Sequence, residues 1–350
     1  MKKVVLAFSG GLDTSYCAIY LAKEMGLEVH AALANTGGFS AEELARIEKR
    51  AYALGVKSYV ALDVTQDYYQ HAIKYMIFGN VLKNSTYPIS VSSERISQAT
   101  AIARYAREIG AYYLCHGSTG AGNDQVRFDM IFNIVAPEIE VIALIREKRL
   151  SREEEIEYLR SHGVDFDFKK AEYSINQGIW GTSVGGKETL TSSETLPEEA
   201  YPSQLKETEP RRVTLTFERG EFVALDGKRY DDRIAAIQAL QAVASRYAVG
   251  RDMHVGDTII GIKGRVGFEA AAPMVIIKAH HMLEKHTLTK WQLFWKDQIS
   301  AFYGNHLHEG QYYDPVMRDM EAMLESSQRT VSGDVYVDLH PYRFVVVGLS

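Results

Sequence analysis

Short runs of β-branched and apolar residues alternate with amphipathic stretches along the first half of the chain. Val4 to Phe8, Val29 to Ala34, Tyr59 to Asp63, Tyr112 to His116 and Val141 to Ile145 read as strands, with helical segments between them. In the clearest of these segments Ile96, Ala99, Ile102, Ala103, Ala106 and Ile109 recur near a period of 3.6, so one apolar face lies against a sheet. This rhythm predicts βαβ units and a parallel sheet. Ser151 followed by Glu154 has the spacing of a capping box and predicts a helix running to about His162. The alternation stops there, which places a domain boundary near Gly163 and gives domains 1–163 and 164–350.

The second half has a different pattern. Val213, Leu215 and Phe217 alternate with Thr214 and Thr216, and the turn signals Arg219-Gly220 and Asp226-Gly227 bracket another apolar run, as in a strand meander. Helical patterns follow at Asp231 to Tyr247, Pro273 to Lys285 and Asp314 to Ser327, and Val335 to Leu339 with Arg343 to Val347 predicts a closing hairpin. This half reads as α+β. Glu188 to Arg211 is polar and carries Pro197, Pro202 and Pro210, so it is expected to be a surface excursion.

Composition narrows the function classes. At 350 residues the chain has room for two domains of about 150 residues each. A net charge of −6 gives no overall footprint for a polyanion, so nucleic acid is not an expected partner. Cys17 and Cys115 are the only cysteines, too few for a disulfide framework or a four-thiolate zinc site. No run approaches the roughly twenty apolar residues of a membrane span, and the apolar start ends at Phe8, too soon for a signal peptide. A cytoplasmic protein with no membrane partner is expected.

The strongest chemical signal is Ser9-Gly10-Gly11-Leu12-Asp13-Thr14-Ser15, directly after the first strand and before a helix. Glycines let backbone N–H groups approach a phosphate, the hydroxyls add donors, and the helix N-terminus adds positive dipole. The loop lacks the lysine of G-x-x-x-x-G-K-[ST] and is not G-x-G-x-x-G. It matches S-G-G-x-D-[ST]-S, the pyrophosphate loop of ATP pyrophosphatases. Asp13 among phosphates calls for a cation, which assigns it to Mg²⁺. A second loop, His116-Gly117-Ser118-Thr119-Gly120-Ala121-Gly122-Asn123-Asp124-Gln125-Val126-Arg127-Phe128, follows the fourth strand. Ligands of open parallel sheets bind at the carboxyl ends of strands, which places this loop beside the first. Its donors, acceptor and fixed cation suit an amino-acid substrate, while Asn-Asp opening a helix is an equally good account of the same residues.

Together these motifs resemble the argininosuccinate synthase family, whose S-G-G-L-D-T-S and H-G-x-T-G-x-G-N-D-Q-V-R-F are both present. Leu33-Ala34-Asn35, Tyr87 with Ser92 and Arg95, Ala136-Pro137, Tyr173-Ser174-Ile175, Trp180-Gly181-Thr182-Ser183 and Val249-Gly250-Arg251 fall in the family's order across nearly the whole chain. The resemblance implies an α/β protein with a parallel-sheet nucleotide-binding domain of the adenine nucleotide α hydrolase type and a second α+β synthetase/multimerisation domain. It implies a ligase that joins citrulline and L-aspartate through a citrullyl-adenylate, with ATP as co-substrate and Mg²⁺. By position, Ala7, Phe8, Ser9, Gly10, Gly11, Leu12, Asp13, Thr14, Ser15, Ala34 and Gly117 would bind ATP. Thr119, Asn123 and Asp124 would hold aspartate, and Tyr87, Ser92, Asn123, Arg127, Ser174 and Ser183 would hold citrulline. Asp13, Asp124 and Arg127 would serve catalysis, Asp124 either pairing with the aspartate ammonium or accepting its proton. A homo-oligomer is implied, as dimer or tetramer.

The chain also departs from the family's pattern. A glutamate and a tyrosine that contact citrulline are replaced by Gly256 and Phe268. Either Glu94, Asp257 or Glu269 supplies the missing carboxylate, or the substrate is an N-acyl-citrulline with no ammonium to neutralise. A non-catalytic sensor and a tRNA-modifying relative are further alternatives, the latter disfavoured by the net charge and by Cys17, which is expected to pack. His280, His281, His286, His306 and His308 are read as surface or interface residues, Trp291 and Trp295 as a packing stripe, and Lys148 to Glu155 as a solvated helix start.

Overall fold

The computed structural model describes residues 1–165, 167 and 173–350. In chain order the first elements are β1 (Lys3–Ala7), α1 (Leu12–Lys23), β2 (Glu28–Asn35), α2 (Ala41–Ala53), β3 (Ser58–Asp63), α3 (Thr65–Tyr68), α4 (Lys74–Phe78), α5 (Ser90–Glu108), β4 (Tyr113–Cys115), α6 (Asp124–Val135), β5 (Glu140–Ile142), α7 (Leu144–Lys148) and α8 (Arg152–Ser161). There follow β6 (Ser174–Gly178), β7 (Gly181–Gly185), β8 (Arg211–Glu218), β9 (Glu221–Leu225), β10 (Lys228–Arg229), α9 (Arg233–Ala244), β11 (Arg251–Asp257), β12 (Lys263–Glu269), α10 (Ala271–Thr287), α11 (Lys290–His308), α12 (Val316–Ser327), β13 (Gly333–His340) and β14 (Arg343–Leu349). Unit 1 comprises Met1–Val64, Glu94–Ala171 and Thr258–Ile260, and unit 2 comprises Thr65–Ser93, Glu172–Asp257 and Gly261–Ser350. No helix among the described residues is long and apolar enough to cross a membrane.

Unit 1 is built on a parallel sheet in the order β3-β2-β1-β4-β5. Val4, Val5 and Leu6 of its central strand are fully buried, as a parallel strand covered on both faces requires. The strand order turns at β1, which has β2 on one side and β4 on the other, so the sheet has its switch point there. The capping box is present: Glu154 N–H donates to Ser151 Oγ at 3.3 Å and Ser151 N–H to Glu154 Oε2 at 2.7 Å. The expected strand from Val141 to Ile145 is shorter, because β5 ends at Ile142 and Leu144 and Ile145 open α7. Both are buried, and a short apolar run reads the same in either conformation.

Unit 2 has an antiparallel sheet in the order β10-β9-β8-β13-β14. Val213, Leu215 and Phe217 of β8 and Val335, Val337 and Leu339 of β13 are fully buried, with α9 against β9 and α10 against β13. Both expected turns are tight: Arg219 and Gly220 have φ of 49° and 82°, and Asp226 and Gly227 have 50° and 78°. Two successive left-handed residues suit the right-handed twist of a hairpin. A Cβ on Gly220 would stand 2.3 Å from Gln328 Oε1, so the first turn accepts only glycine there. A second antiparallel sheet, in the order β11-β12-β7-β6, has no counterpart in the hydrophobic pattern. One of its faces packs Val184 on Leu196 and Ala200, so the 188–211 segment is partly core rather than a surface excursion.

Three further expectations are corrected here. Trp291 and Trp295 are 63% and 57% exposed, so the stripe they form does not pack within the chain. His280 is fully buried, with ring nitrogens 2.6 Å from Asn80 Oδ1 and 2.7 Å from Gln328 Oε1, and His308 is buried beside Ser92. Glu155, in the run expected to be solvated, is only 2% exposed.

Candidate active site

The first loop leaves the C-terminal end of β1 at the switch point. Gly10 has φ of 78°, open to glycine at no cost, and a Cβ there would stand 3.2 Å from Ile47. The loop's hydroxyls hold it in shape: Gly11 N–H donates to Ser9 Oγ at 3.3 Å, Ser9 Oγ lies 3.2 Å from Thr14 Oγ1, and Ser15 Oγ donates to the Gly11 carbonyl at 2.6 Å. Gly11 is the N-cap of α1 and has no side-chain cap, which leaves the first-turn N–H groups directed out of the helix end. The second loop reaches this cradle through Gly117, where a Cβ would stand 3.2 Å from Thr14 Cγ2 and 3.4 Å from Asp13 Cβ. Ala34 closes the end of β2, its carbonyl accepting from Gln98 Nε2 at 3.2 Å.

Two residues at the cradle carried no motif signal. Arg50 on α2 donates to the Gly10 carbonyl at 2.7 Å, bringing a fixed cation to the phosphate loop. Glu155 on α8 is buried near enough to Asp13 for the two carboxyls to interact, and its Oε2 has no hydrogen-bond partner among the described residues. Burial first, and the Asp13 carboxylate second, push the Glu155 carboxyl up to about 9. Only the burial of a charge-run residue could have announced it, and burial is not written in the sequence. The raised acid is protonated in the folded chain and ionised in the unfolded one between about pH 4.5 and 9, so stability falls as pH rises through that window. Glu155→Gln is therefore expected to melt higher than the parent at pH 8, with the difference closing toward pH 5 in thermal scans. A deficit at pH 8 would refute the assignment.

On α6 the Asp124 carboxylate is gripped from both sides. Arg95 Nε donates to Oδ2 at 3.0 Å and Arg127 Nη1 to Oδ1 at 2.8 Å. Burial works to raise this carboxyl, and the Arg95 and Arg127 guanidiniums overrule it and hold it at about 2. A group so acidic is a fixed anion and a poor proton acceptor at neutral pH. Asn123 stands at the N-cap of α6 without capping it, and its Oδ1 accepts the Ile259 N–H at 2.8 Å. Thr119 is exposed on the loop.

The carboxylates expected to compensate for Gly256 and Phe268 are engaged elsewhere. Glu94 is buried, its Oε2 accepting from Thr36 Oγ1 at 2.7 Å and its Oε1 from Arg95 Nη1 at 3.0 Å, and burial pushes it up to about 7. In the four-stranded sheet of unit 2, Phe268 pairs with Ser183 and Asp252, Gly256 with Gly264, Asn176 with Ser183 and Ser174 with Gly185. Directly paired residues share a face and alternate residues return to it, so Ser174, Ser183, Phe268, His254 and Gly256 all stand on one face. Tyr87 lies on that face, its ring stacked on His254 at 5.0 Å and against Phe268 at 5.4 Å. A Cβ at Gly256 would stand 2.5 Å from His254 Nε2, so the His254 ring occupies the space of a side chain at 256. Asp257 and Glu269 belong to the opposite face, where Asp257 pairs with Lys263 at 2.7 Å and Glu269 with Arg251 at 2.9 Å. Asp252 shares the Ser183 face, exposed, with Oδ1 accepting its neighbour Met253's N–H at 2.7 Å. Ser92 is buried, its Oγ 2.9 Å from His308 Nδ1 and 3.3 Å from the Ile89 carbonyl that it donates to.

Comparison with known proteins agrees with this arrangement. Residues 3–165 match the family model described as the arginosuccinate synthase N-terminal HUP domain, and residues 173–350 match the arginosuccinate synthase C-terminal domain. Argininosuccinate synthase of Xanthomonas campestris is 39% identical over 347 residues, covering 96% of this chain and 86% of the relative. The proteins of that name from Dictyoglomus thermophilum and Methanocaldococcus jannaschii are 35% and 33% identical, covering 99% and 98% of this chain and 87% of each relative.

Proposed function

Because the chain belongs to the argininosuccinate synthase family, we propose that it joins citrulline and L-aspartate through a citrullyl-adenylate, giving argininosuccinate, AMP and pyrophosphate as a step of arginine biosynthesis. The observation that carries this reading is the phosphate cradle of Ser9 to Ser15 at the switch point of the sheet, with the Asp124 carboxylate fixed by Arg95 and Arg127 in the same unit.

A ureido oxygen is a weak nucleophile and its carbon a weak electrophile, so adenylation must precede attack by the amine. Ser9 to Ser15, with Ala7, Phe8, Ala34 and Gly117, hold ATP, and the N–H groups at the start of α1 stabilise the charge of departing pyrophosphate. The Asp13 carboxylate beside the phosphate loop is a hard oxygen donor of the kind Mg²⁺ takes, and Asp13 would hold the ion. Such an ion neutralises phosphate oxygens as charge builds on them. Thr119, Asn123 and Asp124 hold aspartate, with Asp124 as the anion facing the ammonium. Following the family resemblance, citrulline binding is assigned to Tyr87, Ser92, Asn123, Arg127, Ser174 and Ser183. Both thiols, Cys17 and Cys115, are free and buried, in keeping with a cytoplasmic enzyme.

A second reading, an N-acyl-citrulline in place of citrulline, is favoured by one observation. Asp257 and Glu269 stand on the sheet face opposite Ser183, and Glu94 is buried and bonded to Arg95 and Thr36. The deciding assay is pyrophosphate release with ATP, Mg²⁺ and aspartate, comparing citrulline with N-acetyl- and N-succinyl-citrulline. Release with citrulline is the expected result, release with an acylated form alone supports the second reading, and no release with any of them overturns both in favour of a sensor. We further assign the chain to a homo-oligomer, supported by the exposed Trp291, Phe294, Trp295 and Phe302 along one side of α11. A sedimentation mass of a single 39.3 kDa chain would refute that.

A further inference from the structure

The second loop is tied at two points to a circuit of buried and half-buried polar groups that none of the roles above uses. His116, 1% exposed, leaves β4 and turns its ring under the loop. Its Nδ1 accepts the Ser118 N–H at 3.2 Å, so the ring proton sits on Nε2, which donates to Asp129 Oδ1 at 2.8 Å. Asp129 Oδ2 accepts from Arg146 Nη1 at 2.5 Å, and the same nitrogen lies 3.2 Å from Gln125 Oε1. Gln125 Nε2 then donates to the Gly120 carbonyl at 2.6 Å, which closes the circuit back onto the loop. Gln125 and Asp129 are one turn apart on α6, and Arg146 comes from α7. Phe128 stacks on the His116 ring at 5.7 Å with 19° between planes, which fixes the ring's orientation. A Cβ on Gly120 would stand 3.5 Å from Arg146 Cγ, so the loop rests on the stem of the same arginine.

We infer that His116, Asp129 and Arg146 are positioning residues: they set the backbone of residues 117–120, and through it the placement of Thr119 for the amino-acid substrate, while touching no substrate themselves. This rests on the proposal that the loop holds aspartate. Every member has a defined proton role. The Ser118 amide and the Gly120 carbonyl are the two loop groups gripped, one as donor and one as acceptor, and the Asp129 carboxylate joins the two halves by accepting from both His116 and Arg146. Hydrogen bonds from His116 and Arg146 outweigh the burial that would raise Asp129, and keep its carboxyl low. These bonds, gripping the loop at Ser118 and Gly120, hold it in one conformation before substrate arrives.

The experiment uses the full-length enzyme and substitutes Arg146, whose side chain is a third exposed and whose removal spares the core. Arg146→Met is expected to raise KM for aspartate about tenfold and change KM for ATP less than threefold, because misplacing one loop by a fraction of an ångström is felt mainly by the ligand it holds. Arg146→Lys, which restores a cation to Asp129, is expected to recover most of the loss. His116→Phe, which keeps the ring and removes both bonds, should reproduce the aspartate effect. Unchanged KM for aspartate in Arg146→Met and His116→Phe, with only a lower melting temperature, would overturn the inference. An unsubstituted enzyme whose multiple-turnover, steady-state pyrophosphate release is independent of aspartate would instead overturn the functional reading beneath it.

Discussion

Replacement of Asp124 by asparagine is expected to lower kcat/KM for aspartate roughly 10²- to 10³-fold, equivalent to about 3 to 4 kcal/mol of lost transition-state binding. Two effects combine. Under the proposed assignment the substrate ammonium loses its anion, and the Arg95 and Arg127 guanidiniums that bond the carboxylate at 3.0 and 2.8 Å become uncompensated cations. Asparagine keeps the shape of the side chain but accepts through one oxygen only, so the loss reports the charge together with one of the two guanidinium bonds. Initial rates of pyrophosphate release at varied aspartate measure it, and a loss under fivefold would remove Asp124 from the substrate site. Because its carboxyl sits at about 2, stability contributed by Asp124 is present at neutral pH and is lost only as pH falls through that value. No step in the activity profile between pH 5 and 8 should follow the asparagine substitution.

Lys296→Met should be the most destabilising single change in unit 2. Lys296 and Glu284 are both fully buried and 3.0 Å apart, and Lys296 Nζ also donates to the Phe78 carbonyl at 2.9 Å. Burial works to raise the Glu284 carboxyl, and His280 and Lys296, with the Gln328 and Asn80 amides, hold it low instead. Removing the cation leaves a buried charge without its partner, a loss of about 3 to 5 kcal/mol. With a denaturant slope of about 3 kcal/mol per molar urea, the unfolding midpoint should drop by about 1 to 1.7 M. The double change Lys296→Met with Glu284→Gln should recover part of this, since a neutral amide needs no cation. Arg229→Met serves as the contrast: its partner Glu218 and Arg229 itself are 48% and 54% exposed, and exposed pairs contribute about 1 kcal/mol or less. Equal midpoint shifts for Lys296→Met and Arg229→Met would refute the buried pair's importance.

The parallel sheet was legible because its strands are buried on both faces and so appear as unbroken β-branched runs, as at Val4 to Leu6. The helix start at Ser151 and the hairpin turns at Arg219-Gly220 and Asp226-Gly227 were legible because a cap or a left-handed turn is a local requirement on a few adjacent residues. The four-stranded sheet of unit 2 was not. Its β6 and β7 are short and glycine-bearing, and their partner β12 lies far along the chain, so pairing is decided by tertiary neighbours rather than strand propensity. The burial of His280 and Glu155 and the exposure of Trp291 and Trp295 were missed for the same reason: residue type gives only a tendency toward inside or outside.

By itself, the sequence determined the chemistry available to this protein: a glycine- and hydroxyl-rich loop after a strand, a second loop with an amide, a carboxylate and a guanidinium, and the family these belong to. Those are contiguous residues, and the physics that ties them together acts within a turn of chain. Only the tertiary structure decided which charge meets which. It set Asp124 between Arg95 and Arg127, laid Glu155 against Asp13, brought Arg50 to Gly10 and turned Asp257 and Glu269 away from the face that carries Ser183. Charge–charge and hydrogen-bond energies depend on distances of a few ångströms and on burial, and packing fixes both among residues that the sequence holds far apart.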